Sequence, residues 1–398
     1  MTLPPETRPV PESSELTVPG ELTVPRPVFV PAPPPPPPVP VPVGRLLAQG
    51  GAAVRYRLLR DVLGQAVPSS GWAMVPYGSR LGWHLLGLQD CEGMWPGGWL
   101  TTPKGTSLDG VGTIPAYRRL LELGWDPETP GMQATRRLLF RLLAEDSDPI
   151  LMGELRPAGD DEERVLRGRL MLREAAAAAL AQAGHEQDPR LRGAARRLVV
   201  RVDAFLRSSA ALKPWVRVGN QHVLPSESAP PSFHLLVMLA HMPQFRSEHA
   251  PFMDRLYDWL TQSWPRQAIV QQVGEQIVEQ PQLVMGDFLA TRSALDSDMP
   301  SALAWLETMA RLGLLTRHEG WVKLLDRTLD DRDRKGMWTP PRSVVMPAQV
   351  PAWSWPVLPL HDGEAAGTPA VGLSADVTFR LALVAKLAGR ELELLYGS

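Results

Sequence analysis

The sequence predicts an all-α protein, a series of repeated helix pairs behind a proline-rich arm, and three observations carry that expectation. From Gly44 onward Leu, Ala and Arg recur at helical spacing, with short loops rich in Pro, Gly and Asp between the runs. Strand-type alternation is scarce. Glycines stand where the apolar-periodic runs stop, at Gly64, Gly124, Gly184 and Gly313.

The arm comes first. Of the 42 prolines, 16 lie within residues 1–43, six of them in the unbroken run Pro33–Pro38. Proline fixes φ and brings no amide donor, so this stretch favours solvated polyproline II, and residues 1–43 read as a semi-rigid disordered arm. A small tandem repeat lies within it, Glu15-Leu16-Thr17-Val18-Pro19 and Glu21-Leu22-Thr23-Val24-Pro25. Either the arm is a spacer, or residues 31–42 are the ligand of an SH3-like or similar proline-binding module.

Residues 44–398 read as a helical repeat domain. In the run 54–63 the apolar positions Val54, Leu58, Leu59 and Val62 form one stripe, with Arg55, Arg57 and Arg60 off it. Further helices are expected at about 78–90, 110–124, 131–144, 161–183, 188–208, 231–242, 248–262, 299–314, 319–331 and 375–395. Asp126-Pro127 and Asp188-Pro189, 62 positions apart, each precede a helix that carries a paired arginine, Arg136-Arg137 and Arg196-Arg197. Gly93-Met94-Trp95 is echoed by Gly336-Met337-Trp338. A body of 355 residues exceeds one typical core. Helix pairs of about 50–60 residues, repeated roughly five or six times, would use all of it, as a closed double ring or as a solenoid segment.

Composition narrows the function classes. The 41 Lys and Arg stand against 43 Asp and Glu, and the difference falls inside residues 1–43, so the body is formally neutral. That argues against a nucleic-acid footprint, which needs clustered excess Lys and Arg. Arg190, Arg192, Arg196, Arg197 and Arg201 make a basic helix face, read as a solvated outer surface rather than a phosphate site. One cysteine, Cys91, rules out an internal disulfide framework and a thiolate zinc cluster from this chain alone, and places the expectation in a reducing, cytoplasmic compartment. No window approaches the roughly 18 consecutive apolar residues of a membrane span. The proline-rich start also lacks the basic and continuous apolar regions of a secretory signal.

The most specific stretch is Leu81-Gly82-Trp83-His84-Leu85-Leu86-Gly87-Leu88-Gln89-Asp90-Cys91-Glu92-Gly93-Met94-Trp95, an apolar helix ending in Gln89 followed by Gly93 and Trp95. A Gln at a helix end can bond neighbouring backbone, Gly permits a turn that a side chain would block, and Trp can pack over the adjoining helix end. The stretch resembles the Q-x-x-x-G-x-W repeat of squalene-hopene cyclases and protein prenyltransferase β-subunits. Taken with Val54–Asp61, Tyr117–Asp126, Gly336–Trp338 and the last helix from Ser374 to Leu383, the chain looks like the bacterial prenyltransferase/squalene-cyclase-like repeat proteins. The resemblance implies an α/α toroid around a central cavity that accepts an apolar, isoprenoid-like small molecule.

The catalytic motifs of the characterised families are missing. No D-x-D-D string occurs; Asp330-Asp331-Arg332-Asp333 has the wrong order. D-D-x-x-D fails at Arg334, and Asp160-Asp161 is followed by Arg164. Cys91 lacks the Asp-x-Cys spacing of a zinc site, so no metal and no cofactor are expected. Three functions follow: an isoprenoid-binding or enzymatic toroid; a non-catalytic scaffold that kept the ring and lost the chemistry; or a glycan-active toroid, which needs two acids about 5–10 Å apart beside exposed Trp.

Candidate residues follow from position. Trp99, Trp338, Trp353 and Trp355 sit beside glycines or prolines and either line a cavity mouth, with His84, or clasp helix ends. Trp259 and Trp305 fall inside helical runs and read as core, and His234 and His241 share a helix face. Asp109, and by analogy Asp376, are the candidate general acids if an apolar funnel holds them, and helix N-caps otherwise. An open apolar funnel around Asp109 or Asp376 would favour the ligand. A centre filled by side chains such as Phe and Trp would favour the scaffold.

Overall fold

The folded chain begins earlier than Gly44. In the computed structural model, which describes residues 36–66, 71–105, 107–144, 162–264, 267–291, 296–339, 341, 344, 346–362 and 369–397, Val39–Val41 forms a strand, β1. It pairs in parallel with Leu392–Leu394, with Val39 opposite Leu392 and Val41 opposite Leu394. Val39, Val41 and Val43 are buried. The alternation Val-Pro-Val-Pro-Val explains the placement: the Val39 amide donates to Glu391 and the Val41 carbonyl accepts from Leu395, while Pro40, between them, faces the side where no donor is needed. The arm boundary drawn at residue 43 therefore moves back to Pro37, where the compact unit Pro37–Ser398 starts. Of the proposed proline-module ligand, residues 39–41 are committed to this strand, 36–38 are exposed ahead of it, and 31–35 lie outside the described residues.

Helices dominate the rest. They are α1 (Val43–Gln49), α2 (Ala52–Arg57, continued by a π turn Leu58–Val62), α3 (Arg80–Gly87), α4 (Thr113–Glu122), α5 (Pro130–Ala144), α6 (Glu162–Gln182) and α7 (Pro189–Arg207). Then come α8 (Ser209–Leu212), α9 (Phe233–Ala240), α10 (Pro243–Glu248), α11 (Ala250–Leu260), α12 (Met299–Arg311), α13 (Glu319–Asp330) and α14 (Pro369–Leu387). Local chemistry sets the starts: Asp188 accepts from the Arg190 amide ahead of α7, Ser232 from Leu235 ahead of α9, and Asp298 from Ser301 ahead of α12. The last helix ends at Leu387, because the chain turns at Gly389 and residues 392–394 are needed as the partner strand of β1 (here β6).

Two hairpins were not anticipated, β2 (Val216–Val218) with β3 (Gln221–Val223) and β4 (Val270–Val273) with β5 (Gln276–Glu279). Each closes through a two-residue loop that opens on a glycine with positive φ, Gly219 and Gly274, the geometry that matches strand twist. Their strands, of three or four residues, are too short to stand out by periodicity.

Neighbouring helices follow chain order. α4 packs on α6, α6 on α9, α9 on α12, α12 on α14, and α14 on α1 and α2. A second set lies against these: α5 and α7 against α6, α11 against α7, α13 against α14.

The Gln-Gly-Trp stretch acts as a clasp between successive helix pairs. Gln89 donates through Nε2 to the Gly131 carbonyl at 3.0 Å and to Thr135 Oγ1 at 2.8 Å, both on α5. Gly93 has φ +95, and a Cβ there would stand 2.7 Å from the Thr135 amide nitrogen, so only glycine fits. Trp95 donates from its indole to the Leu85 carbonyl at 2.7 Å and is buried.

The echo at Gly336 repeats the aspartate turn and the tryptophan amide bond, while the Trp338 indole nitrogen, unlike that of Trp95, has no partner among the described residues. Asp90 Oδ1 accepts from the amides of Glu92 and Met94, as Asp333 Oδ1 does from Lys335 and Met337. The Trp95 amide donates to Thr113 Oγ1 on α4, and the Trp338 amide to Thr378 Oγ1 on α14. Arg332 stands where Gln89 stands in the first copy, and its Nη1 reaches the Pro40 carbonyl in β1 at 3.1 Å. The second clasp thus ties the end of the body to its beginning. Asp333, read as the nearest approach to a cyclase acid, is a turn residue; Asp160 and Asp161 lie outside the described residues.

Candidate functional site

The sequence Pro351-Ala352-Trp353-Ser354-Trp355-Pro356-Val357-Leu358-Pro359-Leu360-His361 is apolar, but its prolines deny it a long helix. Buried in irregular form, it would strand its carbonyls without donors. It is nonetheless buried from Trp353 to Leu360 apart from the half-buried Pro359, with one turn of 3-10 helix at Trp355–Val357. Side chains from four helices surround it. The Trp353 ring stacks on Phe233 of α9 at 3.8 Å with the planes 2° apart. Ser354 Oγ lies 2.9 Å from Ser301 Oγ of α12.

Arginines supply the missing donors. Arg118 Nη1 donates to the Trp353 carbonyl at 3.0 Å, and Arg380 Nη2 to that of Val357 at 2.9 Å. Arg119 donates to the carbonyls of Trp355, Leu358 and Pro359, and its guanidinium lies 4.1 Å from the centre of a Trp355 ring. Burial lowers the pKa of Arg119 to about 9 and that of Arg118 to about 10, yet both stay cationic at neutral pH. Five backbone oxygens therefore stand where a buried cationic cluster would otherwise need anions or water.

Carboxylates balance the remaining charge. Glu122 accepts from Arg57, from Arg380 at 2.5 Å and from Gln182 at 2.5 Å. Burial alone would raise its pKa, but Arg380 and Arg57 override that and hold the carboxyl well below the usual range. Glu307 accepts from Arg380 Nη1 at 2.9 Å and Arg311 Nη2 at 2.9 Å, and Arg57 Nε donates to Asp61 at 2.7 Å. The space left among Arg118, Glu122, Gln182, His241, Glu307 and Arg311 is about 20 Å³, room for one water and for no hydrocarbon chain.

Asp376 is the predicted candidate that this region does contain. It is fully buried within α14, so it is not an N-cap. Its Oδ2 accepts from the amides of Leu360 at 2.8 Å and His361 at 3.2 Å, while its buried Oδ1 has no partner among the described residues. Burial raises its pKa to about 7, against the pull of those amides and of Arg380 and Arg119. Beyond it, Asp362 accepts from Ser79 Oγ and from the amides of Arg80 and Leu81, pinning the exit of the segment to the start of α3.

The other predictions separate. Asp109 is exposed and does not cap α4, whose N-cap is Gly112; its loop position leaves it in solvent rather than in a funnel. His84 is exposed on α3. Trp99, Trp338, Trp353 and Trp355 do not line a mouth: all are at most 5% exposed, Trp99 beside the start of α4, Trp338 against α14, and the other two inside the segment. Trp259 and Trp305 are core as expected. Buried His234 has its pKa lowered to about 3 by desolvation, with the Arg118 charge adding to it. On the basic helix face, Arg190, Arg192 and Arg201 pair with Asp188, Glu248 and Glu174.

Sequence reasoning missed Arg118, Arg119, Glu122, Glu307 and Arg380. One signal was present: Arg380 is the lone charge in Val377–Ala385, and a charge isolated in an otherwise apolar helix needs a buried partner. Among the described residues no group of three or more His, Cys, Asp or Glu is placed to hold a metal ion, and no helix is long and apolar enough to cross a membrane. Comparison with protein-family models, with curated proteins and with solved structures finds no match.

Proposed function

We propose that this chain is a non-catalytic helical scaffold, an α/α toroid whose interior is taken up by its own residues 353–360. The observation that carries the reading is the set of five carbonyls, from Trp353, Trp355, Val357, Leu358 and Pro359, held by Arg118, Arg119 and Arg380 where a ligand cavity would be. Two further findings support a ring: helix neighbours that follow chain order and return to α1 and α2, and paired clasps of which the second reaches Pro40. A centre filled in this way disfavours the apolar isoprenoid ligand. Asp376, a buried acid of raised pKa, takes the amide of Leu360, the last residue of the filling segment, and that of His361 next to it, which makes it a holder of that segment and not a general acid.

On this reading the scaffold works in the cytoplasm and carries the proline-rich arm as its ligand for a proline-binding module. Two measurements test it. Protein purified from its native host should bring no isoprenoid lipid by mass spectrometry and should not consume squalene or prenyl diphosphates; a co-purified isoprenoid or a turnover product contradicts it. Deleting residues 1–36 should abolish binding to any SH3-like domain that the full chain binds; unchanged binding removes the arm from the proposal.

A further inference from the structure

A cavity of about 570 Å³, within the range of small-molecule sites, opens between α5 and α7. Its walls include Arg136, Arg137, Phe140 and Arg141 of α5, and Asp188 and Arg190 at the start of α7. At about 100° per residue the four α5 residues fall within an arc of about 140°, so they share one face of that helix. Arg137, Arg141 and Arg190 are exposed and open to a solute. The Arg190 guanidinium lies 3.9 Å from the centre of the Phe140 ring, which holds it against the wall. Burial lowers the pKa of His185, another wall residue, and the charges of Arg136 and Arg190 lower it further, against Glu128 and Asp188. The donors of these arginines are not used up. Arg190 gives Nε and Nη2 to Asp188, at 3.1 and 2.8 Å, and Arg136 gives Nη1 to Glu128. A guanidinium has five N–H groups, so both keep donors. Arg137 has no hydrogen bond and no ion pair among the described residues, and it stands one turn from Arg141, a like-charged neighbour.

We propose that this cavity binds a small anion carrying two or more phosphate groups. A carboxylate has two coplanar oxygens, and one arginine answers it, as Arg190 answers Asp188. A phosphate group presents oxygens in several directions and takes guanidinium donors from both helices at once. Arg137 and Arg141 are about 6 Å apart along the α5 axis, so one phosphate does not serve both and a second is needed. Nucleic acid, the other source of clustered phosphates, needs a basic surface that continues past the cavity. Here the body is formally neutral, and Arg192 and Arg201, further along α7, are paired with Glu248 and Glu174. Read from α7 alone these arginines make a solvated face; the arginines of α5 close its near end into a site. None of residues 353–360 lines the cavity, so the proposal is independent of the filled interior.

The test is calorimetric titration of the full chain with sodium tripolyphosphate in about 50 mM salt, where exposed charges are weakly screened. Citrate and a single-stranded DNA of about 20 nucleotides are the competing chemistries. Saturable binding of tripolyphosphate below about 1 mM is expected, weakened about tenfold by Arg137→Gln, which has no bond of its own to lose and so keeps the fold. Arg190→Gln should weaken it as well, while Lys323→Gln on α13, outside the cavity, leaves it unchanged. Absence of saturable binding up to about 5 mM overturns the proposal. So does binding that Arg137→Gln and Arg190→Gln leave unaltered, citrate binding of equal affinity, or DNA that binds more tightly than tripolyphosphate.

Discussion

Replacing Arg119 with Leu removes the donor shared by three carbonyls of the filling segment, those of Trp355, Leu358 and Pro359. A hydrogen bond to a charged group contributes about 1.5–3 kcal/mol, and a desolvated guanidinium over an indole about 2 kcal/mol. Three bonds and one ring contact sum to well above the net effect, because removing the guanidinium also relieves the several kcal/mol that its burial costs. The balance is a loss of about 3–5 kcal/mol, the size seen when one partner of a buried ionic cluster is removed. The cavity beside the neighbouring Arg118 is about 20 Å³, room for about one water. The assay is equilibrium denaturation followed by Trp fluorescence, with Arg137→Leu on the exposed face of α5 as a control expected within about 0.5 kcal/mol of wild type. Arg119→Lys should fall between, because an ammonium cannot fork to several carbonyls at once. A loss below about 1 kcal/mol for Arg119→Leu would refute the view that these carbonyls depend on the guanidinium.

Two other expectations follow from the same geometry. Asp376 titrates at about 7 in the folded protein, above its unfolded value, so its contribution is fully present below about pH 4 and is lost as pH rises through 7. The loss is on the order of 4 kcal/mol, and the difference in stability between wild type and Asp376→Asn, measured from pH 4 to pH 8, should move in favour of the variant as pH rises; a pH-independent difference contradicts the buried carboxyl. Gly93→Ala meets both a positive φ and the backbone of Thr135 at 2.7 Å, whereas Gly336→Ala, at φ +81, meets only the Pro42 side chain at 3.4 Å. The first should cost more than about 3 kcal/mol and the second about 1–2 kcal/mol by thermal or chemical denaturation; equal costs would mean that the first clasp does not press on α5.

What was legible in the sequence was local. Asp188-Pro189 marks the start of α7 because capping is decided within three residues, and the Gln89, Gly93 and Trp95 spacing gave the clasp because its turn closes on itself. The filled interior was not legible. Trp353 and Trp355 stand beside prolines and read as loop aromatics; what buries them is Arg118 and Arg119, 235 and 236 positions away in sequence. The same holds at the start of the body, where Val39, Val41 and Val43 look like the tail of a disordered arm until Leu392–Leu394 is brought beside them. Asp376 is legible as a carboxylate to single out, as a general acid or a cap, but only the fold shows that α14 begins at Pro369 and that the Leu360 and His361 amides return to Asp376.

The central claim is that residues 353–360 are a permanent part of the interior. Hydrogen exchange of the Leu360 and His361 amides, which donate to buried Asp376, tests it most directly. The account predicts exchange only through global unfolding, at the slow rate of the amides in α12, and no change on adding squalene or a prenyl diphosphate. Exchange within minutes, or protection that appears only when such a ligand is added, would show that the segment leaves the interior and that the centre is a binding site after all.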